Sequence, residues 1–334
     1  MDKLIELKEN QIRFIDLFAG IGGLRLGFEY PYYQSPNTMG PKLGTCVFSS
    51  EWDKYARITY EANFGEKPFG DITLLNPTAI PKFDVLLAGF PCQPFSSVGK
   101  REGFSHPTQG TLVHEVVKVL EKKRPKAFLL ENVKGLLTHD AGKTMKVIES
   151  SLVDLGYSFD YRVLDAANFG VPQVRKRVYI VGLRNLQRVK ASRIELNWPI
   201  GTQNLTALGP FIEKDVTGYS ISKHLQKSYL EKIDDGRPHI VDCETEAPAK
   251  TLVASYHKIQ RLTGTFVKDG ETGLRLFTVN ECKSIMGFPI DFEIPVSRTQ
   301  MYRQLGNSVA VPVAREIAKM IYNLIQNKKS VKRI

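Results

Sequence analysis

One cysteine stands where a nucleophile would. It lies in GFPCQPFS, Gly89 to Ser96, where Cys92 is set between two prolines on a polar turn. A buried cysteine is most often inert packing, but a rigid, proline-flanked loop offers no core for a thiol to fill, so here a nucleophile is the better reading. Downstream, ENV (Glu131 to Val133) brings a carboxyl group able to move a proton. QVRKR (Gln173 to Arg177) then puts Arg175 and Arg177 on one side of an extended segment, suited to an anion or a polarised carbonyl. Zinc deaminases also carry Pro-Cys, but they need a second cysteine three residues on; Phe95 stands there and no His-x-Glu accompanies it, so no metal is expected.

A second group of residues suits a nucleoside. DLFAGIGG, Asp16 to Gly23, is a glycine turn of the kind that lets backbone approach a ligand at a helix N-terminus. A dinucleotide fingerprint would require Gly or Ala where Arg25 stands, which disfavours a nicotinamide-dependent dehydrogenase. Glu51 offers a carboxylate to ribose hydroxyls, and Trp52 beside it offers an aromatic face to adenine. Asp71, in GDI, suits either a hydrogen bond from an adenine amino group or the capping of a turn.

These groups need a scaffold that brings them to one edge. Apolar runs predict strands at Arg13–Phe18, Thr45–Ser49, Asp84–Ala88, Ala127–Leu130, Tyr157–Val163 and Val178–Gly182. Leu112, Val113, Val116, Val117 and Leu120 recur at helical spacing, as do Met145, Ile148, Leu152 and Leu155. The alternation predicts an α/β layer with a parallel sheet, whose carboxyl edge is where ligands bind. After about Leu183 the rhythm breaks into short polar pieces up to about Gly273, as in a second, smaller domain. Val313, Ile317, Ile321 and Leu324 mark a last amphipathic helix, followed by a basic tail read as a solvated terminus.

Composition agrees with a globular chain: 334 residues, 42% hydrophobic and 24% charged. The net charge of +11 is compatible with a polyanionic partner without requiring one. Four cysteines without paired spacing argue against a disulfide framework and fit a reducing cytoplasm. No signal-peptide pattern or membrane-length apolar run is present, so a protein that is neither exported nor in the membrane is expected.

In order, DLFAGIGG, SEWD, GDI, GFPCQPFS, ENV, QVRKR, RLFTVNECKSIMGFP and QLGNSVAVPVA closely resemble the motifs of bacterial cytosine-5 DNA methyltransferases of restriction-modification systems, and they span nearly the whole chain. The resemblance implies a Rossmann-like S-adenosylmethionine-dependent methyltransferase fold with a smaller, mostly irregular or β target-recognition domain. It implies catalytic residues 1–197 and 299–334, with recognition domain and hinge at 198–298. Phe18, Gly20, Gly22, Gly23, Glu51, Trp52, Asp71 and Ile72 would surround S-adenosylmethionine, with Asn307 and Ser308 closing the cofactor side. Cys92 would attack carbon 6 of a flipped cytosine, Glu131 contact ring nitrogen 3, Arg175 the exocyclic carbonyl oxygen, and Arg177 orient the neighbouring groups. Lys100 and Arg101 lie in what resembles a mobile catalytic loop. Thr251, Tyr256, His257 and Lys258, after the Thr-Leu landmark, would face double-stranded DNA. A monomer is expected, with a cognate restriction endonuclease as functional partner.

Two departures stand out. The chain is roughly ten residues longer than the family usually is between Glu29 and Cys46, as for an extended surface loop, and Gln109 replaces a common Arg. Two other readings are weaker. A transfer-RNA methylase of the same fold would carry Cys-Phe-Thr, which is absent, and a non-catalytic relative would not need the intact Cys92, Glu131, Arg175 and Arg177.

Overall fold

A computed structural model describes residues 11–29, 33–35, 38–39, 42–91, 111–184 and 191–326. Six strands form the main sheet: β1 (Ile12–Leu17), β2 (Gly44–Ser50), β3 (Val85–Ala88), β4 (Ala127–Val133), β5 (Tyr157–Asp165) and β6 (Lys176–Arg184). Their spatial order is β2-β1-β3-β4-β6-β5. Strands β2, β1, β3 and β4 run parallel, with Leu17 opposite both Ser50 and Ala88. Strand β6 runs antiparallel to β4 and β5, which corrects the expectation of an all-parallel sheet. The reason is the short link 166–175, which holds no crossover helix; a chain that turns back over so few residues can only pair antiparallel. Within the extra segment before β2, Tyr33–Ser35 and Thr38–Met39 pair as a small antiparallel ribbon.

Alternate strand residues point to opposite faces, so each face has its own helical cover. Phe14, Val85, Leu129 and Val181 pack with α1 (Gly23–Glu29) and α7 (Val311–Gln326), whose Val313, Ile317 and Ile321 form the expected stripe. Ile15, Leu86, Phe128 and Ile180 pack with α3 (Thr111–Lys123) and α4 (Lys143–Asp154). Helices α1 and α7 cross closely at Gly27, where a Cβ would lie 2.8 Å from the Ala314 carbonyl carbon. Trp198, read as the first residue of the second domain, is buried with the sheet and donates to Asp160 at 2.7 Å.

A further cluster gathers Leu208, Ile221, Leu252, Phe266, Phe277, Tyr302 and Leu305 and reaches Ile21 and Leu26 at the glycine turn and α1, and Ala56 on α2 (Lys54–Phe64). Its elements are a parallel pair, β7 (His239–Val241) with β8 (Thr265–Val267), and the helices α5 (Val279–Met286) and α6 (Arg298–Asn307). Helix α5 starts at a capping box: the Thr278 hydroxyl accepts from Glu281 N, and the Glu281 carboxylate accepts from Thr278 N. Its centre is Arg275, wholly buried, which donates to both oxygens of Glu281 at 2.8 Å and to Asp269.

Candidate active site

The chemistry-bearing segments meet where β1, β3 and β4 end. Asn132 donates to the Phe90 carbonyl at 3.0 Å, tying ENV to the turn that leads into Cys92. A Cβ on Gly89 would lie 3.6 Å from Glu131 Oε2, so the turn passes directly beside that carboxyl group. Cys92, Lys100 and Arg101 lie outside the described residues. Glu131 is buried, and desolvation raises its pKa even against the charges of Arg177 and Arg175. Arg177 Nε lies 3.4 Å from Glu131 Oε1, across the β4–β6 pairing that sets Val133 opposite Arg177.

The two arginines differ in depth. Arg175 is buried, and its guanidinium donates to three backbone carbonyls: Leu252 at 2.9 Å, Gly306 at 3.0 Å and Ser308. Both terminal nitrogens are thus committed to protein, and it is Arg177 that stands beside Glu131 with a partly exposed side chain. Arg175 lies deep because it precedes β6 and packs against the 249–252 chain, and its Nε is buried without a partner. Burial and the Arg177 charge disfavour the cationic form of Arg175, and Glu131 offsets part of this. Gln173, to which the sequence assigned no role, is fully buried and clamps the same junction, donating to Ile285 O and accepting from Leu252 N, each at 2.8 Å.

The glycine turn lies one strand away. Phe18 and Gly20 have φ of 55° and Gly22 of 84°. Gly20 has open space where a side chain would be, while its N–H donates to Glu51 Oε2 at 2.8 Å. Gly22 and Gly23 have none: a Cβ would meet the Phe64 ring at 2.3 Å in the first case and Ser308 Oγ at 2.5 Å in the second. Glu51 is buried, which raises its pKa; Asp53 N donates to its other oxygen at 2.8 Å, leaving one lone pair on each oxygen for a further donor. Trp52 is 72% exposed beside it, an aromatic face with nothing over it. Asp71 follows a single bridge between Ser50 and Phe69 and caps the next turn through Oδ1, accepting from Thr73 N at 2.9 Å. Ile72 is buried below, Ser308 faces Gly23, and Asn307 is exposed at the end of α6.

Asp16, one turn before Gly20, was passed over by the sequence reading. It is buried with both carboxyl oxygens unpartnered, and burial raises its pKa well above the usual range. Its signal in the sequence is an acidic residue next to the end of β1, directly before the glycine turn. Arg25, read only as a break in a fingerprint, donates to Glu29 at 2.8 Å, Tyr60 and Glu66, and lies 4.2 Å over the Phe64 ring that packs on Gly22.

Of the residues expected to face DNA, Tyr256 does not. It is buried, donates to Thr265 O at 2.6 Å and accepts from Phe277 N, because the 3-10 turn Tyr256–Lys258 points its first side chain inward. Lys258 is exposed and His257 half-buried. Thr251 donates to Val174 O, which places it beside the Arg175 segment.

A six-stranded sheet with this order and a nucleoside-type glycine turn is a Rossmann-like methyltransferase fold. Solved relatives share it: a DNMT2 from Spodoptera frugiperda has a TM-score of 0.73 at 23% identity, covering 93% of this chain and 100% of that one. The model of the C-5 cytosine-specific DNA methylases matches residues 12–323, and the chain belongs to that family. It is 57% identical over 312 residues to the type II methyltransferase M.MspI of Moraxella, covering 93% of this chain and 71% of that one. It is 59% identical over 309 residues to M.BsuFI of Bacillus subtilis, covering 92% and 72%. The chain is thus a DNA (cytosine-5)-methyltransferase, and the family's chemistry implies S-adenosylmethionine as donor. Among the described residues no helix is long and apolar enough to cross a membrane.

Proposed function

We propose that the protein methylates carbon 5 of one cytosine within a specific sequence of double-stranded DNA, as the protective half of a restriction-modification system, through a covalent adduct of Cys92 with a flipped base. The observation that carries this reading is the pairing of buried Glu131 with Arg177 beside the turn that leads into Cys92. When bound, S-adenosylmethionine supplies an electrophilic methyl group. The residues present fit it: Gly20 leaves open space, the Glu51 carboxylate keeps acceptor capacity for ribose hydroxyls, Trp52 offers a bare ring, and Asp71 keeps one oxygen free of the turn that it caps.

Cytosine is electron-poor at carbon 6, and addition of the Cys92 thiolate there makes carbon 5 nucleophilic. Protonation at ring nitrogen 3 must accompany the addition. A carboxyl group whose pKa burial raises holds and donates a proton more readily than an ordinary carboxylate, and this is the part assigned to Glu131. Arg177 then holds the Glu131 carboxylate left behind and faces the exocyclic oxygen, while Arg175 braces the floor. Once carbon 5 carries the methyl group, loss of its proton to water expels Cys92 as thiolate, and return of the nitrogen 3 proton to the Glu131 carboxylate restores the neutral ring. Extrusion of the base costs a few kcal/mol, which phosphate contacts from basic groups such as Lys258, Lys100 and Arg101 help to offset.

The test is transfer of labelled methyl to unmethylated duplex DNA, with products mapped by bisulfite sequencing, for wild type and Cys92→Ser. Label in 5-methylcytosine at one recurring sequence, absent with the variant, is expected. Equal transfer by the variant would remove Cys92 from the mechanism, and transfer to RNA in place of DNA would remove the substrate.

A further inference from the structure

Arg261 lies far along the chain from the catalytic motifs, yet it is buried and spends its whole guanidinium on one loop. Nε donates to Leu230 O at 3.0 Å, Nη1 to Asp235 Oδ2 at 3.1 Å, and Nη2 to Ile233 O at 2.6 Å and to Asp235 Oδ1. Its own N–H donates to the Tyr229 hydroxyl. The loop so held, residues 231–238, lies in no helix or strand, so an arginine clip takes the place of a backbone ladder. The clip is firm enough to hold the Asp235 carboxyl below its ordinary range although that residue is exposed.

The clip ties the loop to Leu230, which is buried in the second core, while Ile233 is 58%, Leu262 59% and Tyr229 42% exposed around it, an apolar patch on the surface of the same loop. From Ala247 to Lys268 the chain carries Lys250, Lys258 and Lys268 besides the committed Arg261, and no acidic residue, which suits a phosphate backbone. The same stretch leads to the active site in a few bonds. Lys250 Nζ donates to Leu262 O, Thr251 to Val174 O, and Leu252 is gripped by Gln173 and Arg175.

Resting on the function proposed above, we propose that Arg261 is a positioning residue. It holds the 231–238 loop in register with the segment that carries Lys250 and Thr251, and so sets which bases flanking the target cytosine are accepted. It touches no reacting atom; the side chains it presents read the DNA. Sequence is read by groups that reach base edges, and a reading loop that drifts by an ångström loses directional contacts while keeping its phosphate contacts.

The test is methylation of a duplex library randomised around a fixed cytosine, read by bisulfite sequencing, for wild type, Arg261→Lys, Arg261→Gln and Asp235→Asn, with melting temperatures and with kcat and KM on the preferred sequence. The expected result is that discrimination at one or two flanking positions falls about tenfold in Arg261→Gln and Asp235→Asn. KM should rise more than kcat falls, and Arg261→Lys should restore part of the preference. A uniform loss at all sequences with the preference intact would assign Arg261 a structural role only and overturn the proposal, as would an unchanged preference in all three variants. Should Arg261→Gln fail to fold, Asp235→Asn decides from the exposed side of the same clip. A wild type that methylates no member of the library would overturn the functional reading itself, which separates the two failures.

Discussion

Replacing Arg175 by Lys discriminates between a base contact and a hinge brace. The guanidinium makes charge-assisted bonds to the carbonyls of Leu252, Gly306 and Ser308, all within the buried junction. A lysine ammonium in the same place can reach one of them with good geometry, so two are lost. At roughly 1.5–3 kcal/mol for each hydrogen bond to a charged group, the substitution costs about 3–6 kcal/mol of folding stability. That corresponds to a melting temperature lower by about 4–9 °C. Arg177→Lys disturbs one ion-pair contact at 3.4 Å on a partly exposed side chain, and its stability cost is about 1 kcal/mol or less. Its effect falls on turnover, about a hundredfold on kcat/KM, the scale of losing one aimed donor. Differential scanning calorimetry with single-turnover methyl transfer separates the two. An Arg175→Lys enzyme that melts within a degree of wild type while losing its chemical rate would refute the bracing role proposed for Arg175 and give it the base contact that the family resemblance implies.

Three further outcomes follow from the same geometry. Glu131→Gln should lower the chemical rate by about 10²- to 10⁴-fold and remove the decline of rate at high pH, because the carboxyl group donates only while it keeps its proton. Because burial raises its pKa, wild-type folding should weaken as pH climbs from the unfolded carboxylate value of about 4.3 through the folded one. The Glu131→Gln variant lacks that slope, so its urea midpoint minus that of wild type should grow with pH across this window. Gly23→Ala places a methyl 2.5 Å from Ser308 Oγ and 2.9 Å from Val309 Cγ2, so it should cost about 1–3 kcal/mol in chemical denaturation and weaken S-adenosylmethionine binding by calorimetry. Tyr256→Phe leaves the Thr265 carbonyl and the Phe277 N–H without a partner inside the core, so it should cost about 1–3 kcal/mol in denaturation with KM for DNA unchanged; a raised KM alone would restore Tyr256 to the DNA surface.

The strands were legible because doubly covered strands must be apolar throughout, and each expected run overlaps an observed strand closely. The direction of β6 was not carried by those runs, since an apolar run reads the same both ways; the ten-residue link 166–175 carried it. Period-two spacing correctly put Arg175 and Arg177 on one side, but it is silent on depth, and depth is what commits Arg175 to carbonyls and leaves Arg177 beside Glu131. Tyr256 misled for a related reason. Its neighbours His257 and Lys258 are polar, and only the turn geometry shows that the first residue of Tyr256–Lys258 faces inward onto Phe266 and Phe277. Gln173 and Asp16 lie within motifs yet carry no part by residue type, because what singles them out is burial, with long-range partners for Gln173 and unpartnered oxygens for Asp16.

The segment from Gln173 to Arg177 explains why these residue types recur two apart. Gln173 and Arg175 grip Leu252, Val174 exchanges backbone and hydroxyl contacts with Ala249 and Thr251, and Arg177 meets Glu131. At about 3.3 Å per extended residue, the whole strap spans little more than a dozen ångströms. The 249–252 chain and the Arg177–Glu131 pair are thus joined by a few covalent bonds fixed at one end by β6. On the function proposed above, the segment that packs under the smaller lobe and the proton donor's partner are then neighbours on a single piece of backbone.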